Sequence, residues 1–272
     1  MTSRSAVYEL IDIGANLTHE SFRPDLPRVL QRAFDAGVRR LIVTGADEQG
    51  SADAAELAAS RPELYSTCGI HPHHAKECNA GTMDTFRTLL RTHPIVAIGE
   101  TGLDFYRDFS PRPVQEQWFV EHLQLASEVG LPMFLHERDA HARFAAILAE
   151  HIDNLGDVVV HCFTGDAAAL HRYLEMGCYI GVTGWICDER RGANLLELVG
   201  QIPDDRLMLE TDAPYLLPRD LKPKPKSRRN EPANLPHVLT AVAAARNQSA
   251  EYVANRTTRN AERFFRLPED GR

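Results

Sequence analysis

The chain has 272 residues, 43% hydrophobic and 25% charged, which is ordinary for a soluble globular protein and enough for a large core. Its net charge of -8 excludes a whole-surface field that would draw in nucleic acid or an anionic membrane. Met1 to Glu9 lacks an apolar leader core, and no later run is long enough to span a bilayer, so the expectation is a cytoplasmic protein with no membrane partner.

Short apolar runs alternate with helical spacing along the chain. Leu10 to Ile13 reads as a first strand, followed by Gly14-Ala15-Asn16-Leu17. Asp25 to Ala36 has helical spacing and stops at Gly37. Leu41 to Thr44 is a second strand, and Ser51 to Ala59 an Ala-rich helix. Leu64 to Ile70 is a third strand ending in His71-Pro72-His73-His74, and Thr82 to Arg91 is a helix. Ile95 to Gly99 is the fourth strand, running into Glu100, and Gln115 to Val129 is a long helix. Pro132 to Leu135 is a fifth strand ending at His136, followed by a helix from Ala140 to Asp153. Val158 to Val160 is a sixth, ending at His161, with a helix from Ala167 to Met176. Tyr179 to Val182 is a seventh, ending in Thr183-Gly184-Trp185, with a helix from Asn194 to Ile202. Leu207 to Leu209 is an eighth, ending in Glu210-Thr211-Asp212. After a Pro-rich loop, Leu235 to Arg246 and Glu251 to Phe265 read as helices, the last expected outside the sheet with Val253, Ala261, Phe264 and Phe265 inward.

The strands lack polar alternation and are therefore buried on both faces. Eight of them alternating with helices predict a single (β/α)8 TIM barrel of the α/β class, with residues 1–272 as one domain. A doubly wound open sheet is the alternative, but no G-x-G-x-x-G follows the first strand. The five cysteines include no C-x-x-C pair and read as reduced thiols, with Cys68, Cys162 and Cys178 as small core residues. Their spacing gives a zinc-thiolate site no support.

In such a barrel the C-terminal strand ends converge on one mouth. The polar residues at those ends are His71, Glu100, His136, His161 and Asp212. A carboxylate where a buried strand ends is costly unless something binds it. Three imidazoles and two carboxylates on one rim predict a divalent-metal site that activates water and a phosphoryl or ester oxygen. Imidazole with carboxylate suits Zn, Mn or Fe, whereas Mg prefers oxygen ligands, so these residues alone do not name the metal.

Ile98-Gly99-Glu100-Thr101-Gly102-Leu103-Asp104, Leu135-His136, Val160 to Gly165, Glu210 to Tyr215 and Arg229-Asn230-Glu231-Pro232 together resemble the TatD family of metal-dependent deoxyribonucleases. The resemblance runs from Ile11 to about Phe265. It implies a TIM-barrel, metallo-dependent hydrolase that cleaves phosphodiester bonds. Cys187 to Gly192 and Leu216 to Leu221 resemble the subgroup that digests single-stranded DNA and RNA from the 3′ end with Mg. By position, Glu100, His136 and His161 match the family's metal ligands, Asp212 its catalytic Asp (base or second-metal ligand), and His71 a His beside the scissile phosphate. DNA repair is the pathway implied. The wider family opens with Asp-x-His-x-His, whereas this chain has Asp12-Ile13-Gly14-Ala15-Asn16. The expectation is therefore one firm site on Glu100, His136 and His161, a weak second one near Asp12, Asn16 and Asp212, and a shift toward Mg, with Mn or Zn as alternatives.

The loop from Arg219 to Arg229 carries six cations and one carboxylate in an acidic protein. It follows the eighth strand and suits phosphate-backbone contact. Arg219, Arg229, Asn230 and His73 are the candidate substrate-binding residues, and Phe105, Tyr106 and Trp185 could each stack a terminal base. Asp104 and Arg138 are expected to hold the loops that carry Glu100 and His136, and His74 and His141 to play surface or supporting roles. Single-stranded DNA and RNA are the expected partners of a monomeric enzyme. The rival readings are an amidohydrolase acting on a C–N or ester bond and a barrel that binds nucleic acid without cutting it.

Overall fold

The computed structural model describes residues 8–268, so Met1 to Val7 and the last four residues, with the parts of the leader and single-domain readings that fall on them, lie outside it. Eight parallel strands form one sheet in sequence order: β1 (Leu10–Ala15), β2 (Val38–Val43), β3 (Leu64–Cys68), β4 (Ile95–Asp104), β5 (Met133–Arg138), β6 (Val158–Val160), β7 (Tyr179–Val182) and β8 (Leu207–Leu209). The helices between and after them are α1 (Leu26–Asp35), α2 (Glu48–Ala59), α3 (Thr82–Thr92), α4 (Arg112–Val129), α5 (His141–His151), α6 (Ala167–Glu175), α7 (Ala193–Leu198), α8 (Leu235–Ala245) and α9 (Ala250–Phe264). The sheet closes where the end of β1 meets the segment after β8: Asn16 N donates to Ala213 O at 2.7 Å and Asp212 N to Gly14 O at 2.9 Å. This is the expected (β/α)8 order.

Local chemistry sets the helix ends. Asp47, Asp166 and Ser249 accept hydrogen bonds from first-turn amides of α2, α6 and α9 at 2.7, 2.9 and 3.1 Å. Each such cap contributes about 1 kcal/mol. α4 stops at Gly130, which takes the left-handed conformation with φ +69°.

Two apolar layers result. The larger lies between strands and helices. The smaller fills the barrel interior with Ile11, Ile42, Ala97, Phe134, Val159, Tyr179 and Met208. Here one expectation is corrected. α9 does not simply lie on the outside: Val253 and Ala254 join the outer layer, but Ala261, Phe264, Phe265 and Leu267 join the inner one. The end of α9 therefore closes the floor at the N-terminal strand ends, and Asn260 there donates to Leu207 O at 2.8 Å.

The second difference concerns β4, which runs on to Asp104 instead of stopping at Gly99. Gly99 and Gly102, at φ +141° and +142°, lie so close to β5 that a Cβ would come within 2.0 Å of Phe134 O or His136 O. Only glycine permits that approach in that conformation. Glu100 is thus gripped inside a paired strand, with Gly102 opposite His136 in register. All five cysteines are free; Cys68 and Cys178 are buried as expected, while Cys162 sits half-buried at a bend with φ +47°.

Candidate active site

Glu100 is the hub of the mouth and is only 5% exposed. Its Oε1 lies 2.8 Å from His161 Nε2, 3.0 Å from His136 Nδ1 and 3.4 Å from His71 Nε2. β4 and β5 carry Glu100 and His136 within the paired strands, whereas His71 and His161 follow the ends of β3 and β6. Burial opposes the Glu100 charge, but the imidazoles of His161 and His71 outweigh it and hold the carboxylate well below its usual range. Burial likewise drives His71 well below the ordinary imidazole value, and the His73 amide donates to its Nδ1 at 3.1 Å, which leaves the proton on Nε2. His161 goes the other way: burial works against its charge, yet Glu100 and Glu210 raise it well above the ordinary value.

Supporting residues lock these groups. Asp104 Oδ2 accepts from His73 Nε2 at 2.8 Å, and Oδ1 accepts the Tyr106 and Arg107 amides at 3.0 and 2.9 Å. Asp104 therefore holds the loop after β4; the expectation that it holds a loop carrying Glu100 is corrected, because Glu100 lies inside the strand. His122 on α4, which the sequence reading did not single out, accepts from Ile70 N at 3.1 Å and so fixes the residue before His71. Burial lowers His122 to about 4, which keeps it neutral for that task.

Asp212 follows β8 with φ +53°, and its Oδ1 accepts from Asn16 Nδ2 at 3.1 Å. Burial pushes it up to about 7, against His161 and with help from Glu100 and Glu210. Asp12 does not join it. Both Asp12 oxygens face Thr211, accepting from N at 2.9 Å and Oγ1 at 2.5 Å. The expected second set of Asp12, Asn16 and Asp212 thus shrinks to Asn16 and Asp212, because Asp12 fastens the start of the barrel to its end.

Glu210 is the residue the sequence reading missed. It is fully buried, accepts from Cys162 N at 2.5 Å and lies 3.3 Å from His161 Nδ1. A Cβ on Gly14 would meet its Oε2 at 2.6 Å, and one on Gly181 would meet its Oε1 at 2.5 Å. Gly14 therefore leaves the space that Glu210 fills. No signal in the chain links those positions before it folds.

The substrate candidates divide. Arg229 donates to Asp25 at 2.7 and 2.9 Å, to Glu231 at 2.7 Å and to Ser21 O at 2.6 Å, so its guanidinium ties the start of α1 to the loop before α8. Asn230 is fully buried and donates to Thr211 O at 3.0 Å. Both are corrections: the closing seam engages the Arg229 guanidinium with Asp25, Glu231 and the Ser21 carbonyl and the Asn230 amide with the Thr211 carbonyl, instead of leaving them to face substrate. His73 stays at the rim, bound to Asp104 and packed 4.7 Å from Phe109. Arg219 lines a groove of about 860 Å³ with Trp185, Arg190, Lys222, Lys224 and Arg228. Arg138 lies over both Tyr106 and Trp185, at 4.7 and 5.2 Å from the ring centres. Tyr106, Phe109 and Tyr215 are exposed large aromatics beside the strand-end motifs. His141 bonds Tyr173 and His74 bonds Glu77, both as supporting or surface groups.

The donor set fits a divalent cation. Glu100 Oε1 lies 2.8 and 3.0 Å from nitrogens of His161 and His136, and His136 Nε2 is buried with no hydrogen-bond partner. Among the described residues no helix is long and apolar enough to cross a membrane.

Comparison with known proteins places the chain in a family. The family model described as TatD related DNase matches residues 11–266. The 3′-5′ ssDNA/RNA exonuclease TatD of Pantoea vagans (strain C9-1) is 50% identical over 95% of this chain and all of its own length. That of Dickeya dadantii (strain 3937) is 51% identical over 96% of this chain and all of its own. Among solved structures, the TatD homolog YJJV of Escherichia coli K12 superposes with a TM-score of 0.87 at 28% identity, covering 96% of this chain and 100% of that one. A dihydropyrimidinase from Brevibacillus agri, at 12% identity and TM-score 0.61 over 95% of this chain and 71% of its own, shares the fold alone. The chain belongs to the TatD-related DNase family.

Proposed function

We propose that this protein is a metal-dependent exonuclease that removes nucleotides from the 3′ end of single-stranded DNA and RNA. The observation that carries the chemistry is one buried carboxylate, Glu100, ringed by three imidazoles beside a second carboxylate, Asp212. The polarity and the substrate are those of the half-identical relatives. Glu100, His136, His161 and Asp212 would hold a divalent cation, Mg2+ in our reading with Mn2+ or Zn2+ as substitutes. Such an ion, when bound, draws charge from a phosphate oxygen and acidifies water.

The chain's own groups do the rest. Asp212, held by Asn16, accepts the proton of the attacking water. His71, neutral with its proton on Nε2, donates to a phosphate oxygen. Glu210 holds the His161 ring in place. Tyr106, Phe109 and Tyr215 stack bases at the strand end, while Arg219 and Lys222 meet the phosphates behind it. Residues 1–272 act as one catalytic unit, a cytoplasmic monomer serving DNA repair or nucleic-acid turnover.

A single-stranded oligonucleotide labelled at its 5′ end tests this. The expected result is a ladder shrinking from the 3′ end with Mg2+, absent with chelator and reduced about a thousandfold or more in Glu100→Ala. No cleavage with Mg2+, Mn2+ or Zn2+ would refute the proposal and turn attention to small amide and ester substrates.

A further inference from the structure

A second convergence of metal-ligating side chains lies where the loop after β8 meets α8. Cys187 ends the short turn Gly184–Cys187 after β7, Asp220 lies in the basic loop, and His237 is in the first turn of α8. One ligand atom from each lies within 4.8 Å of the other two. His237 Nε2 is 2.7 Å from Asp220 Oδ1. Cys187 is buried and free, while the side chains of Asp220 and His237 remain 52% and 32% exposed. We infer that Cys187, Asp220 and His237 form a second metal site, selective for zinc, that anchors the basic loop to the barrel.

The donor chemistry argues for zinc over magnesium. Sulfur, imidazole and carboxylate together suit a borderline-soft ion, whereas Mg2+ wants oxygen. Zn–S near 2.3 Å and Zn–N near 2.0–2.1 Å place tetrahedral ligand atoms roughly 3.3–3.7 Å apart. The His237–Asp220 pair, at 2.7 Å, opens by about 1 Å or less to reach that range, and the Cys187 sulfur already lies within 4.8 Å of both. The thiol releases its proton to solvent, and thiolate plus carboxylate then neutralise the ion. Water takes the fourth position, which the exposure of Asp220 and His237 allows. The consequence follows from the loop's composition. No helix or strand holds the chain between β8 and Glu231, yet this stretch carries Arg219, Lys222, Lys224 and Arg228 along the groove. An ion on Asp220 fixes the neighbouring Arg219, whose guanidinium lies 3.8 Å from the carboxylates of Asp188 and Glu189. That consequence rests on the nuclease reading; the site itself does not.

Cobalt spectroscopy on the full chain tests the site without reference to nuclease activity. The protein is stripped with chelator and titrated with Co2+. A thiolate-to-cobalt charge-transfer band in the near ultraviolet is expected, a signal that nitrogen and oxygen ligands at the Glu100 cluster do not give. The band should persist in Cys162→Ser, the thiol nearest that cluster, and vanish in Cys187→Ser. His237→Ala and Asp220→Asn, both at exposed side chains and checked for native circular dichroism, should weaken cobalt binding roughly tenfold or more. They decide the matter if Cys187→Ser fails to fold. Absence of the band in the wild type, or its persistence in Cys187→Ser, or unchanged affinity in both exposed variants, would overturn the inference.

Discussion

The two ends of the barrel are built from the same strands and hold opposite chemistry. At the floor, Ile11, Ile42, Val159, Tyr179 and Met208 meet Phe264, Phe265 and Leu267 of the closing helix. At the mouth, the barrel presents Glu100, His136, His161 and Glu210, most of them as deeply buried. The floor stabilises by removing apolar surface from water. The mouth contributes little net stability, since paired buried charges roughly offset their own desolvation. What it provides is position: each ionisable group is held by a partner from a different strand. Stability and chemistry should therefore separate by end.

The largest expected effect is at the floor. Phe264→Ala empties a buried aromatic site and should cost about 3–5 kcal/mol of stability. By calorimetry Tm falls by roughly 10 °C, while turnover per folded molecule stays unchanged. A loss of turnover in the folded fraction would mean that the two ends are coupled. Next, at the mouth, Glu210→Gln keeps an acceptor for Cys162 N but weakens the hold on His161. Turnover should drop about 10–100-fold with little change in Km or fold. An unchanged rate would reduce Glu210 to a filler of the space beside Gly14.

A smaller effect tests the seam between the ends. Burial raises Asp12 to about 7 from the 3.8 of an exposed carboxylate, against its bonds to Thr211. Folding therefore favours the protonated form: its contribution is full below pH 3.8 and is lost as pH rises through about 7. Asp12→Asn keeps an oxygen that accepts from Thr211 N and cannot ionise. The gap in Tm between pH 5 and pH 8 should shrink by roughly 5 °C in the metal-free variant. Some slope should remain, from Asp212. A gap as wide as the wild type's would rule out buried ionisation at Asp12. The smallest effect belongs to the rim, where Arg219→Ala with Lys222→Ala should raise Km severalfold for long oligonucleotides and flatten its salt dependence, leaving kcat intact. Equal salt slopes for the variant and the wild type would remove the groove from substrate binding.

The alternation of apolar runs with helical spacing was enough to indicate a (β/α)8 barrel, because strand burial and helix amphipathicity are local properties of the chain. The same logic exposed His71, Glu100, His136, His161 and Asp212: a polar residue just after a buried run lies near the C-terminal side of a strand, and a parallel barrel has only one C-terminal end, although Glu100 and His136 prove to lie within longer strands. Tertiary structure alone decided what depends on which distant segments meet. Arg229 and Asn230 read as substrate contacts because they adjoin a charged loop after the eighth strand, yet the closing seam engages them with Asp25, Glu231 and the Thr211 carbonyl. The last helix turns under the barrel because the floor leaves apolar residues uncovered. Glu210 fills the space left by Gly14 and Gly181, and Cys187 meets Asp220 and His237, only once β1, β7 and β8 lie side by side. Neither meeting leaves a mark in local spacing, since steric exclusion and ligand geometry act between atoms that the fold, not the order of the chain, makes neighbours.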